Sequence, residues 1–199
     1  SLLFAKSKKN MKLVFATHNL NKFKEVQSLL PSNIELVSLT DIGCHDDIPE
    51  TADTIEANAL LKVAYVKDNY GLDCFADDTG LEVNSLNNAP GVHSARYAGP
   101  DANAQSNMNK LLDSMRDTQD RSARFKTVIA LSYKGEDILF EGICKGAILS
   151  QQRGVKGFGY DPIFLPDGKK QTFAEMSLQE KSTIGHRGKA MQKLITHFL

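Results

Sequence analysis

The sequence has few cysteines, no surplus of either charge and no long apolar run, and each shortage excludes a class of protein. Its three cysteines, Cys44, Cys74 and Cys144, are scattered, with no CxxC pair and no Cys/His ligand spacing. Zinc modules and disulfide frameworks need such spacing, so neither is expected, and isolated thiols fit a reducing, cytoplasmic setting. Basic and acidic side chains number 24 each, for a formal net charge of zero. A duplex nucleic-acid binder needs a basic excess to displace counterions, so no nucleic-acid partner is expected. A small anion needs only a local cluster of donors and stays open. No apolar run approaches the roughly 18 residues of a membrane span, so no membrane partner is expected either. The phosphate-cradling pattern GxxxxGK[ST] is absent from the whole chain.

What is present is ordinary globular material: 199 residues, 41% hydrophobic and 24% charged. That is enough for one well-filled domain or at most two small ones. Residues 1–10 (SLLFAKSKKN) place an apolar patch before lysines, the reverse of the charge order in a secretory signal. They read as an upstream extension or cloning remnant, with Met11 the expected functional start and 11–199 a single domain.

Residues 74–80 (CFADDTG) are the chemical centre of the chain. A short apolar run, read as a buried strand, ends in two adjacent carboxylates, a hydroxyl and a glycine. Asp77 and Asp78 at a strand's end suit a hard cation or proton transfer. An Asp-rich turn, followed by one further short strand at 81–83, accounts for the same residues.

Upstream, residues 12–16 (KLVFA) form a strand candidate, then Thr17, His18, Asn19, Leu20, Asn21 and Lys22 lead into a helix striped with Phe23, Val26, Leu29 and Leu30. Free N–H groups at that helix start favour an anion, and Lys22, placed against the helix dipole, points to phosphate. Capping by Asn19 or Thr17 is the plainer reading. A second strand covers 34–39. An Asp-rich connector then reaches Glu50, and a helix runs from Thr54 to about residue 69, with Asn58 and Lys62 sharing a face. Glu50 and Glu56 near its start are either ligands or charges favoured by the helix dipole.

The loop 89–99 (APGVHSARYAG) offers Ser94 and Arg96 as phosphate donors, or is simply solvated. A helix over 101–117 carries Met108, Leu111, Leu112 and Met115 toward a core or a subunit interface. Segments 123–133 and 137–149 read as long strands joined by a turn at 134–136. From Arg153 the run RGVKGFGYDPIF presents Phe158, Gly159, Tyr160 and Asp161 on a glycine-rich loop, suited to a planar base or to a loop with core aromatics. Lys181, His186 and Arg187 cluster ahead of a last helix over 187–198, as donors for an anion or a carbonyl-rich base edge.

Taken together and in this order, the blocks resemble the Ham1/inosine triphosphate pyrophosphatase family. The blocks are T-x-N-x-x-K from Thr17, ETADTIEANALLK from Glu50, ADDTGLEV from Ala76, APGVHSARYAG from Ala89, GFGYDPIF from Gly157 and EKSTIGHRGKA from Glu180. The resemblance implies an α/β fold: a single two-lobed unit with a long central mixed sheet flanked by helices and an active-site cleft between the lobes. It implies a Mg²⁺-dependent, homodimeric enzyme that cleaves non-standard purine nucleoside triphosphates (ITP, dITP, XTP) to the monophosphate and pyrophosphate. Carried over by position, Asp78 is the general base and a metal ligand, with Asp77 and Glu50 as further metal contacts. Thr17, His18, Asn19, Leu20, Asn21, Lys22 and Thr79 fall on the phosphate side. Phe158, Gly159, Tyr160, Asp161, Lys181, His186 and Arg187 fall in the nucleoside pocket. Two positions depart from the pattern: His18 stands where a small residue is common, and Gly185 where a serine usually precedes the His-Arg pair, which is expected to loosen that turn. The competing readings are a Maf-type nucleotide pyrophosphatase and a catalytically silent nucleotide-binding module.

Overall fold

The N-terminal third builds a parallel core, and everything after it folds back antiparallel. In the computed structural model, which describes residues 10–198, Met11–Phe15 (β1) buries Leu13, Val14 and Phe15. Residues 1–9, read above as an extension, lie outside the described residues. Leu20–Gln27 (α1) crosses back to Ile34–Val37 (β2), which pairs parallel with β1. Ile55–Tyr70 (α2) starts where the Thr54 side chain accepts a hydrogen bond from the Ala57 N–H. It stops at Gly71, whose left-handed φ of 62° suits glycine. Cys74–Val83 (β3) then pairs parallel with β1.

From β3 the sheet turns antiparallel, with Pro90–Gly91 (β4) and Ser122–Tyr133 (β5) beside it. Lys134 and Gly135, with φ of 49° and 81°, turn the chain into Glu136–Ile148 (β6), whose end pairs with Phe164–Pro166 (β7). The result is a seven-stranded mixed sheet in the order β2-β1-β3-β5-β6-β7, with β4 off β3. Three more helices flank it: Ala104–Ser114 (α3), Leu178–Ile184 (α4) and His186–His197 (α5). The expected α/β fold with a long central mixed sheet and flanking helices is what forms. Among the described residues no helix is long and apolar enough to cross a membrane.

Two local expectations are corrected. Residues 74–83 are one uninterrupted ten-residue strand, where a strand, an Asp-rich turn and a second strand were expected. Asp and Gly are poor strand formers alone, but every residue from Cys74 to Val83 has a partner on β5, and the Lys22 and Arg187 cations neutralise Asp77. Helix α4 was not expected, because seven residues are too few to display a helical period.

Strand alternation sorts β3 between two cores. Cys74 and Ala76 pack with Ala59, Val63 and Val66 of α2, so Asp78 follows onto that face. Phe75 packs on the other face with Val26 of α1 and Ala190, Met191 and Leu194 of α5, and Asp77 follows it there. Further along the same face, Leu81 and Val83 join a third core with α3 and Phe125, Phe164 and Phe173. Each fully buried Val, Leu, Met or Phe among them contributes about 1.5–3 kcal/mol. Asp77 and Thr79 therefore form a polar band between two apolar cores.

Candidate active site

The loop after β1 is wound tight by its own side chains. Asn19 N–H donates to Thr17 Oγ1 at 3.1 Å, and Asn19 Oδ1 accepts from the N–H groups of Asn21 and Lys22 at 3.0 and 3.1 Å. The plainer reading of Asn19 as a helix cap is thus realised, and two amides expected to be free for an anion are taken. Lys22 turns inward, its ammonium 2.7 Å from Asp77 Oδ1. His18 reaches across to the acidic connector, its Nε2 2.9 Å from the Asp46 carbonyl. That carbonyl can only accept, so Nε2 carries the proton.

Lys62 is the pivot on the α2 face of β3. Its ammonium donates to the Asp77 backbone carbonyl at 2.8 Å and sits 3.0 Å from Glu50 Oε1 and 3.7 Å from Asp78 Oδ1. Asn58, one turn before it, exchanges hydrogen bonds with the Ala52 backbone and so holds the segment after Glu50. Asp78 is 5% exposed, and its Oδ2 is buried without a partner. Burial pushes the Asp78 carboxyl up to about 6, against the pull of Lys62 and Lys22 and helped by the charges of Glu50 and Asp77.

Asp77 behaves oppositely. Burial alone would raise it, but the Arg187 and Lys22 cations outweigh that and hold it well below the usual carboxylate range. Arg187 Nε donates to Asp77 Oδ2 at 2.7 Å, and Thr79 Oγ1 donates to Oδ1 at 3.1 Å. Thr79 in turn accepts from Arg187 Nη2 at 3.0 Å and lies 2.7 Å from Thr127 Oγ1. Both Asp77 oxygens are therefore engaged on the face opposite Asp78. The expectation of two adjacent carboxylates facing one metal is not the arrangement here.

The far end of the site is a second charged knot. Lys181 lies 2.7 Å from Asp161 Oδ2 and 3.2 Å from Glu25 Oε2, and Arg187 Nη1 lies 3.2 Å from Glu25 Oε1. Asp161 Oδ2 also accepts from the Phe158 N–H at 3.1 Å. The Phe158 ring covers Lys181 at 4.5 Å and Arg187 at 5.6 Å, within cation–π range. His186 stacks on Phe125 at 4.5 Å; burial, then Arg187 and Lys181, hold its pKa well below the ordinary value, so the ring is neutral. His186 Nδ1 and Arg187 Nη1 are buried without a hydrogen-bond partner. Gly185 does not loosen the turn: its N–H donates to the Lys181 carbonyl at 2.7 Å, and a Cβ there would meet that same oxygen.

These elements enclose one cavity of about 950 Å³. Thr17, His18, Asn19, Asn21, Lys22, Glu50, Asp78, Thr79, Phe158, Gly159, Tyr160, Asp161, Lys181, His186 and Arg187 all line it. Leu20 does not, being 72% exposed, and Asp77 lies behind the wall with no exposed surface. Of the loop donors, Arg96 lines the cavity exposed, whereas the Ser94 hydroxyl is spent on the Gly91 carbonyl and the Leu81 N–H. Glu56 pairs with Lys126 outside the cavity. Lys62 and Glu25 were missing from the expected site. A lysine among the apolar positions of α2 is the signal for the first, and Glu25 gives none.

Among the described residues no group of three or more His, Cys, Asp or Glu side chains is arranged to hold a metal ion. A cavity with carboxylates and cations at one end and an aromatic, donor-lined pocket at the other defines a nucleotide-handling protein. Residues 13–197 match the Ham1 family, and the chain belongs to it. A dITP/XTP pyrophosphatase of Christiangramia forsetii is 61% identical over 187 residues, covering 94% of this chain and 98% of that one. One from Porphyromonas gingivalis is 52% identical over 184 residues, covering 92% and 95%. Among solved structures, a HAM1 protein from Coxiella burnetii superimposes with a TM-score of 0.87 at 39% identity, covering 94% and 98%. The Ham1 protein of Staphylococcus aureus gives 0.85 at 35%, covering 94% and 97%.

Proposed function

We propose that this chain hydrolyses the non-standard purine nucleoside triphosphates ITP, dITP and XTP to the monophosphate and pyrophosphate, with the cavity as the cleft between two lobes. The observation that carries this reading is the convergence, in one cavity, of Lys22, Lys62 and the buried carboxyl of Asp78 at one end with Phe158, Lys181, His186 and Arg187 at the other. The names of the relatives point the same way. Asp78 takes a proton from the attacking water, a task suited to a carboxylate raised to about 6. Lys22 and Arg96 neutralise phosphate charge, and the hydroxyl and amides of Thr17, His18 and Asn19 shape that end of the cavity.

The residues also fit a divalent cation: Asp78 Oδ2 is a buried, unpartnered oxygen, and Glu50 lies across Lys62 from it. Mg²⁺ prefers oxygen donors and keeps several waters, so these two carboxylates would hold it together with waters and the substrate's phosphates. When bound it neutralises phosphate charge at that end. Selectivity follows from hydrogen-bond direction. Lys181 and Arg187 carry only donors, which a 6-oxo purine satisfies. A 6-amino group faces them with further donors, at about 1–3 kcal/mol for each group left unpaired. The family resemblance adds a homodimer and a cytoplasmic setting to the reading.

The test is pyrophosphate release from ITP, dITP, XTP, GTP, ATP, dUTP and TTP in Mg²⁺. Purines with a 6-oxo group other than GTP are expected to lead, and Asp78→Asn is expected to lose about 10²–10⁴-fold. A lead by dUTP or TTP favours the Maf-type reading, and tight ITP binding with no release favours a silent module.

A further inference from the structure

Asp77 touches three cations of the site and faces none of the cavity. Its carboxylate holds Lys22 at 2.7 Å on Oδ1 and Arg187 at 2.7 Å on Oδ2. Its backbone carbonyl accepts from Lys62 at 2.8 Å. These three belong to the phosphate end, the nucleoside end and the Glu50–Asp78 pair respectively. The carboxylate itself is held by Thr79, which is joined to Thr127 on the next strand. Asp77 sits mid-strand with its partner Ile129 on β5 and no exposed surface.

We propose that Asp77 is a positioning residue that sets the distance between the phosphate-binding and base-binding ends of the cavity, by anchoring Lys22 and Arg187 to one carboxylate. This rests on the reading of the cavity as a nucleoside triphosphate site. Lys and Arg heads ride on long, flexible stems and by themselves define no fixed span. Bonded to the two oxygens of one buried side chain, they become a rigid pair. A substrate that seats its base against Arg187 then has its phosphates aligned on Lys22, so the fit of the base is expressed in turnover as well as in affinity.

The test compares wild type with Asp77→Asn, an isostere that keeps the shape and removes the charge. Steady-state rates are measured with ITP and ATP across a Mg²⁺ titration, and IMP and pyrophosphate binding by calorimetry in EDTA. For Asp77→Asn, kcat on ITP is expected to fall about tenfold to a hundredfold, and the ITP:ATP ratio of kcat/KM to shrink by a similar factor. IMP and pyrophosphate should both bind more weakly without metal, while the Mg²⁺ half-saturation stays within about twofold. A half-saturation raised about tenfold with unchanged metal-free binding makes Asp77 a metal ligand and overturns the proposal. Equal losses on ITP and ATP with unchanged metal-free binding overturn it in favour of a purely structural role. Should Asp77→Asn not fold, Thr79→Val, which removes one hydroxyl of the same clamp and no charge, is expected to give the same pattern more weakly; an unchanged ITP:ATP ratio there overturns the proposal. If wild type releases no pyrophosphate from any triphosphate, the underlying reading fails; if wild type is active and only the Mg²⁺ response of the variant moves, this proposal alone fails.

Discussion

At the scale of single residues, Asp78, the proposed general base, sets activity against stability. A carboxyl raised from 3.8 to about 6 favours the folded state most when protonated. Its contribution is full below the ordinary value of 3.8 and is lost as pH rises through about 6. This is the reverse of Asp77, whose lowered pKa stabilises above the ordinary carboxylate range and is lost toward acid. The cost of ionising Asp78 is on the order of 3 kcal/mol. In EDTA at pH 8, Asp78→Asn is therefore expected to melt several degrees above wild type while losing turnover. Thermal denaturation at pH 4.5 and pH 8 checks the sign, because the gain should shrink to about a third at the lower pH. The kcat/KM of the wild type should fall tenfold per pH unit below about 6, the limb on which the base is protonated. A melting point unchanged by the substitution at pH 8 would show that Asp78 is not strained in the folded protein.

At the scale of elements, the end of the cavity lined by His186 and Arg187 depends on how closely α5 approaches β6. Gly142, in the middle of β6, leaves no room for a Cβ: it would run into the His186 carbonyl and the Ala190 N–H. Gly142→Ala must push away the first turn of α5, which carries both His186 and Arg187. A loss of about 1–3 kcal/mol in stability is expected, with KM for ITP raised more than kcat is lowered, read by urea melts and steady-state kinetics. No sequence pattern marks this contact, since a glycine in a strand reads as a weak point or a bulge. The elements that were legible have clear end signals, such as α2 between its Thr54 cap and Gly71 and the β5–β6 hairpin with its Lys134-Gly135 turn. The interior of β3 was not, because two aspartates and a glycine argue locally against a strand and only Lys22, Lys62 and Arg187 make it tolerable. Of the site residues expected on the recognisable blocks, all but Leu20 and Asp77 line the cavity. Glu25 was invisible for the opposite reason: beside Lys24 on an amphipathic helix, a glutamate looks solvated until Lys181 and Arg187 close over it.

At the scale of the whole molecule, the charges divide into two populations. Asp77, Arg187, Glu25, Lys181 and Asp161 are buried and, with the half-buried Lys22 at the cavity end, form one chain of alternating sign that joins α1, β3, α4 and α5 to the loop after β6. The six sum to zero, as does the full sequence. Exposed pairs such as Arg116–Asp113 make up the other population and contribute little. Mobile ions reach charges in water and in the open cavity, but screen buried pairs far less. Raising NaCl from about 0.05 to 0.5 M is therefore expected to move the melting temperature by less than about 3 °C. Over the same range, metal-free pyrophosphate binding should weaken several-fold, because the polyanion meets Lys22 and Arg96 at a solvent-filled surface. Melting and calorimetry on one salt series separate the two. A melting point that dropped steeply alongside the affinity would mean that the buried chain opens to solvent, and that the same cations cannot then hold both the fold and a fixed substrate geometry.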